Sequence, residues 1–396
     1  MKLNIKIFTN AVLVIMSVAI ITSCNKELPE AEPIDGPSPA STTIADLLND
    51  PDYSILKAAV ARAGAGVTNL LADKSGTFTL FAPNDAAFNL SGIPSAAALA
   101  FFRPGQLDTL LKYHIVGGER ITTTSMNDKL PNLYLQSSFV LVPPSAALPP
   151  GLRMPIFPSK RGTFAWVNNI PIIAADIEAG NGIVHKVATL VAPPARFLWD
   201  RIDTDPDLTY LKAAIQRADS GTAVASTLQA ALQNPVANLT LFAPTNLSFQ
   251  QLLTGQITLA LVQQGLDVPT ASATATALAS SPTVFQNPAL ASVLTPTIVK
   301  GLVVYHILGN RQFSVNLPTV ATGSPTLLNS AIPTHPGVTL KATFGPTGVT
   351  AATIAGAANP GPSNILINPT PDPGGTSDQH YINGTIHEID QVLRPQ

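Results

Sequence analysis

Six histidines, one cysteine and 24 acidic side chains are the groups in this chain that could ligate a metal, act as nucleophile or pass a proton. Four of the histidines come in matched pairs. His114 and His306 follow tyrosines in Tyr113-His114-Ile115 and Tyr305-His306-Ile307; His185 and His387 close Asn181-Gly182-Ile183-Val184-His185 and Asn383-Gly384-Thr385-Ile386-His387. No HxH, HExxH or CxxC spacing occurs, so no zinc-binding pattern is present; His380 and Asp378 lie near His387, but in a Gly/Ser/Thr-rich stretch. No GxSxG places a serine on a strained turn. Carboxylate pairs for glycoside hydrolysis converge in space only, so spacing neither selects nor removes them. The expectation is no catalytic residue, no cofactor and no metal ligand.

The elements that hold these residues also come twice. Thr79-Leu80-Phe81-Ala82-Pro83-Asn84-Asp85-Ala86-Ala87-Phe88 precedes the first Tyr-His pair, and Thr240-Leu241-Phe242-Ala243-Pro244-Thr245-Asn246-Leu247-Ser248-Phe249 precedes the second. Residues 77–81 and 239–242 are rich in β-formers and read as strands stopped by Pro83 and Pro244. Asn84/Asp85 and Thr245/Asn246 can cap a short helix that carries Phe88 or Phe249 inward. Upstream, Asp50-Pro51-Asp52 and Asp205-Pro206-Asp207 start helices that bury Leu56, Ala59 and Val60, and Leu211, Ala214 and Ile215. Leu107, Leu110 and Leu111 share one helix face before Tyr113, as Ile298, Leu302 and Val303 do before Tyr305; each helix then passes into a strand. Asn181-Gly182 and Asn383-Gly384 signal hairpin turns leading into the closing strands of a sheet. The copies differ in a long Ala/Thr/Ser-rich excursion at 266–297 and a Pro-rich one at 141–160, the latter either an ordered cover for the core or a contact patch.

The start of the chain has its own logic. Lys2 and Lys6 precede an apolar run at 11–21, too short for a comfortable membrane span and suited to a secretory signal. Ile21-Thr22-Ser23-Cys24 resembles the lipobox of bacterial lipoproteins, which implies that Cys24 becomes the first mature residue and carries the lipid. With Cys24 consumed, no thiol remains for disulfides or catalysis. Asn25-Lys26-Glu27 resembles surface-export signals of some Gram-negative lipoproteins, and the Pro-rich acidic residues 25–40 read as a tether. The resulting division is a signal peptide at 1–23, a tether at 24–40 and two domains at 41–194 and 195–396. A net charge of −2 without a basic, aromatic-interleaved stretch argues against nucleic acid as a partner. Charged residues make up 12% of the chain, against about 25% in typical soluble domains, which suits an envelope or extracellular module.

The three motifs, in order and twice, resemble the two end boxes and the central Tyr-His motif of fasciclin (FAS1) domains, over nearly all of the mature chain. The resemblance implies an α+β fold: two tandem modules, each a wedge-like β-sandwich with packed helices. It also implies adhesion or ligand binding rather than catalysis, with a polysaccharide or a partner protein as ligand. In animal members the Tyr-His motif is tied to receptor adhesion, which makes Tyr113, His114, Tyr305 and His306 the candidate ligand-binding residues. The alternative is a half-buried imidazole that bonds backbone and fixes the helix–strand junction. Asp176-Ile177 precedes the first Asn-Gly turn as that family's pattern expects, whereas Gln379-His380-Tyr381-Ile382 stands before the second. His387-Glu388-Ile389-Asp390 also differs from His185-Lys186-Val187-Ala188, so the closing edges should differ in charge and need not bind the same ligand. The expected protein is lipid-anchored in the cell envelope through Cys24, at the outer membrane, with surface exposure open. A structural or accessory subunit of an envelope complex is the other reading.

Overall fold

Each half of the chain builds its sheet around one buried parallel strand pair. The computed structural model describes residues 42–396 except 147, 149, 346 and 347, so Cys24, the signal and the tether lie outside the described residues. In the first half the strands are β1 (Phe78–Pro83), β2 (Ile115–Gly117), β3 (Leu135–Val142), β4 (Leu152–Ile156), β5 (Pro158–Arg161), β6 (Phe164–Val167), β7 (Ile170–Ala179) and β8 (Gly182–Val187). They form one sheet in the order β4-β3-β2-β1-β8-β7-β6-β5. In the second half β9 (Leu239–Pro244), β10 (Ile307–Leu308), β11 (Thr322–Ser324), β12 (Val338–Gly345), β13 (Gly348–Ala355), β14 (Ser363–Ile365), β15 (Gln379–Tyr381) and β16 (Gly384–Ile389) form the other. Its order is β10-β9-β16-β14-β13-β12-β11, with β15 also pairing β16.

β1 runs parallel to β8 and β9 parallel to β16, in matching registers that set Phe81 beside His185 and Phe242 beside His387. The strands expected to close each sheet therefore lie at its centre. Covering on both faces explains why β1, β9 and β16 are buried at every residue rather than at alternate ones. Leu80 and Ala82 face helices on one side, whereas Phe81 faces Met154, Ile156 and Val167 on the other, where the sheet packs over itself. Leu241 and Phe242 divide the second copy in the same way. Sheet, helices and two core layers per copy give the expected α+β sandwich.

The helices Ser54–Ala63 and Thr209–Ala218 bury Leu56, Ala59 and Val60, and Leu211, Ala214 and Ile215, as their spacing requires. Asn84 caps the helix Asp85–Leu90, and its side chain accepts from the Ala87 N–H; Thr245 caps the second copy's helix in the same way. That second helix is not short: it runs from Asn246 to Gln263. The stretch expected to be a loop at 266–297 is largely helical. Val268–Ala279 starts at the Asp267 cap and packs Ala271, Ala275 and Ala279, one turn apart, into the interior. The Pro-rich excursion at 141–160 holds the end of β3, all of β4 and most of β5, with Met154, Ile156 and Phe157 buried.

The described residues form one compact body, within which the two halves share a joint. Phe157 and Trp166 from the first half cluster with Phe313 and Val315 from the second. Arg161 stands 4.2 Å over the Phe344 ring and donates to the Leu317 carbonyl at 2.9 Å. Among the described residues, no helix is long and apolar enough to cross a membrane.

Candidate functional site

The Tyr-His pairs sit where a helix ends inside the body. The helices Pro104–Tyr113 and Pro296–Tyr305 stop at the tyrosine, the histidine is the C-cap, and the next residue opens β2 or β10. Leu107 and Leu111 are buried beneath the first helix. In the second, Val299 and Val303 take that place, and Ile298 is 56% exposed. All four Tyr and His side chains are at most 1% exposed.

Their polar atoms are used internally. His114 donates from Nδ1 to the Leu110 carbonyl at 2.8 Å and accepts from the Val191 N–H at Nε2, at 2.9 Å. His306 does the same with Leu302 and Leu393, at 2.8 Å each. Each imidazole thus ties the last turn of its helix to the segment beyond the central strand and is fixed as the neutral Nδ1–H tautomer. Burial lowers both to about 4, against a smaller opposing effect of the carbonyl bond. The Tyr113 hydroxyl donates to the Pro155 carbonyl at 3.0 Å and accepts from Asn168. Tyr305 donates to the Gly337 carbonyl and accepts from the Ala357 N–H. Burial raises both phenols. A ligand would reach these four residues only by opening the junction they hold, so the geometry supports the structural alternative.

A second constellation joins the central strand to the hairpin before it. His185 Nε2 donates to the Ile121 carbonyl at 2.7 Å and its Nδ1 accepts from the Asp176 N–H. His387 repeats this with Gln312 and Asp378. Asp176 and Asp378 both have φ of 57°, a left-handed conformation that Asp tolerates. Asp176 accepts from the backbone and hydroxyl of Thr123, Asp378 from those of Ser314. The second copy therefore keeps the aspartate expected only in the first. Both stand nine positions before the histidine, a spacing in the sequence that could have identified the pair. Stacking of Phe81 on His185 and Phe242 on His387, centroids 5.5 and 5.6 Å apart, completes the set.

The Asn-Gly boxes mark the hairpins but act differently from a simple turn signal. Ala179 pairs with Gly182 and Tyr381 with Gly384, so the turn residues are Gly180-Asn181 and Ile382-Asn383, and each glycine begins a strand. A Cβ on Gly182 would lie 2.2 Å from the Phe78 carbonyl oxygen, and one on Gly384 2.6 Å from that of Leu239. Close approach of the parallel strand requires these glycines. The asparagines reach inward. Asn181 accepts from the Ile44 N–H and donates to the Leu71 and Asp73 carbonyls; Asn383 accepts from the Leu198 N–H and donates to the Leu232 carbonyl. Thr79 and Thr240, not singled out by the sequence reasoning, each bond two backbone groups of the segment after β2 or β10.

The copies invert charge at one matched position, on the central strand rather than on an edge. Lys186 pairs with Asp52 at 2.9 Å, whereas Glu388 is buried against Arg201 at 3.1 Å. Arg201 also meets Asp205 and Asp372 at 2.6 and 2.7 Å. Among the described residues, no group of three or more His, Cys, Asp or Glu could hold a metal ion.

The fasciclin domain model matches residues 51–193. The transforming growth factor-beta-induced protein ig-h3 of Sus scrofa is 30% identical over 180 residues, 45% of this chain and 23% of that protein. Protein sll1483 of Synechocystis sp. is 30% identical over 158 residues, 39% of this chain and 75% of that protein. This chain thus spans under a quarter of the mammalian relative's length and three quarters of the cyanobacterial one's. A solved FAS1 domain pair from the insect cell adhesion molecule fasciclin I aligns with 86% of this chain and 95% of its own, at 16% identity and a TM-score of 0.32. The family match over the first copy and the second copy's repetition of its buried motif lead to one conclusion: this chain belongs to the fasciclin domain family, as a tandem protein.

Proposed function

We propose that this protein is a lipid-anchored binding or adhesion protein of the cell envelope, whose two fasciclin domains engage an extracellular polysaccharide or a partner protein. Fasciclin domains are associated with cell adhesion and binding, and the insect protein is described as a cell adhesion molecule. The observation that carries the reading is the joint at Phe157, Trp166, Phe313 and Val315, which holds two fasciclin modules in one body. Two modules in a fixed relation present two contact faces at once, and such pairing raises avidity without new contacts. Anchoring at Cys24 and placement at the outer membrane are part of the proposal. Two or more acyl chains hold a protein stably where one does not. The matched histidines serve the fold, so the ligand is assigned to the surface around the modules, and no reaction is assigned to the protein.

The test is protease treatment of intact cells, followed with an antibody, together with binding of the purified protein to immobilised glycans and matrix proteins. Digestion on intact cells with saturable binding is expected. Protection until lysis, or no binding to any ligand class, would overturn adhesion. The second reading, an accessory subunit of an envelope complex, draws on large exposed apolar side chains such as Phe101, Leu90 and Val224. Co-purification of a fixed set of envelope proteins from membranes would select it.

A further inference from the structure

The second copy contains a half-open apolar cavity of about 1090 Å³. Its inner end reaches Phe249, Leu253 and Phe285 of the buried core. Its lining also includes four exposed apolar side chains, Leu259, Val293, Ile298 and Ile332. One wall is the long helix Asn246–Gln263, which in the first copy is only Asp85–Leu90. Copy-specific length thus builds the cavity.

Two further observations concern what fits there. Gly301 lies inside the helix Pro296–Tyr305 and lines the cavity, and a Cβ built on it meets nothing within 4 Å. The first copy has Thr109 four residues before its own Tyr113, where the second has Gly301 before Tyr305. Glycine weakens a helix interior, so its presence here exchanges helix propensity for open space. Two cationic side chains, Lys300 and Arg394, line the cavity, and no acidic side chain does among the described residues; Gln396, the last residue, lines it as well. Arg394 is partly engaged through the Ala358 carbonyl, whereas Lys300 forms no ion pair among the described residues.

We propose that this cavity binds one long-chain amphiphile with an anionic head group, of the fatty-acid class, with the chain along the apolar wall and the carboxylate at Lys300. Small-molecule pockets are concave, about 300–1,000 Å³ in volume, and mostly apolar with a few polar groups that fix orientation. A recess that runs into core side chains suits a hydrocarbon chain better than a flat protein surface. The site is independent of the adhesive reading, since it belongs to the second copy alone.

The experiment titrates the full-length protein with a fluorophore-labelled fatty acid of palmitate length, then displaces the label with palmitate or with palmityl alcohol. Saturable binding of one label per chain, displaced by palmitate, is expected. Gly301→Phe should fill the cavity and weaken binding at least about tenfold with an unchanged melting temperature. Should that variant melt early, Ala260→Phe on the facing helix replaces it. Lys300→Gln should weaken palmitate and leave palmityl alcohol unchanged. Absence of saturable binding, or binding that a folded filling variant leaves intact, overturns the site. Equal effects of Lys300→Gln on acid and alcohol overturn the head-group assignment.

Discussion

Arg311 of the second copy lies over the Phe157 ring of the first, with the guanidinium carbon 5.1 Å from the ring centroid. The cation is 1% exposed and has no carboxylate partner among the described residues. It donates instead to His380 Nε2 at 2.6 Å and to the Ile382 carbonyl at 2.9 Å. Burial lowers the guanidinium to about 10, and burial together with the Arg311 charge holds His380 neutral. A cation is tolerated here because an aromatic face, an imidazole and a carbonyl replace water. Phe157→Ala should cost about 3–5 kcal/mol through the lost packing and the cavity left behind. Because the ring links the two halves, calorimetry should also show one transition broadening into two. An unchanged single transition would mean that coupling of the copies does not depend on Phe157.

The capping histidines make a pH prediction. Each is lowered from 6.5 to about 4. The unfolded chain therefore takes up protons first as pH falls. The contribution is complete above pH 6.5 and is lost progressively down to about pH 4, at roughly 3 kcal/mol per histidine. His114→Ala or His306→Ala should lower the melting temperature at pH 7 by leaving a buried N–H and a carbonyl unpaired. The gap between wild type and variant should shrink at pH 4. A gap that stays constant with pH would remove the neutral-imidazole account. A variant that melts normally yet loses ligand binding would restore the Tyr-His pairs as the ligand site.

Much of this was legible in the residues, and the failures have physical causes. Tandem motifs revealed the paired histidines, and spacing revealed the buried faces of the helices carrying Leu56 and Leu211. Asp378 stands out near His387 only as a rejected metal ligand; its equivalence to Asp176 is hidden because residues 379–382 differ from their counterparts, while what matters is its distance from His387. The helix Val268–Ala279 was missed because its buried stripe is alanine, which carries little apolar contrast, amid Thr and Ser that favour turns. Ile298 shares the helical spacing of Leu302 and Val303 yet is exposed, because the second copy opens a cavity on that side. The inter-copy cluster of Phe157, Trp166, Phe313 and Val315 has no periodic signal at all.

Asn181 and Asn383 test whether the Asn-Gly boxes are internal fasteners. Asn383→Ala leaves the Leu198 N–H and the Leu232 carbonyl without their side-chain partner in the interior. Each orphaned group costs about 1–3 kcal/mol, so a loss of at least about 2 kcal/mol is expected in denaturant melts. Asn383→Asp keeps the acceptor for Leu198 but not the donor for Leu232 and should recover only part of it. If Asn383→Ala melts like wild type, the box serves only the turn.

Glu388 provides the opposite pH sign. Burial, reinforced by Asp205 and opposed by Arg201, raises its carboxyl from 4.5 to about 7. The folded chain then holds this proton more tightly than the unfolded chain. Its contribution is complete below pH 4.5 and is lost as pH rises through about 7. Gln keeps an oxygen for Arg201 without the charge, and Asp205 and Asp372 remain on the guanidinium. Glu388→Gln should therefore match wild type below pH 4.5 and melt at a higher temperature at pH 8. This follows because a buried ion pair can cost more in lost hydration than it returns. A variant less stable than wild type at pH 8 would show that the ionised Glu388–Arg201 pair contributes net stability.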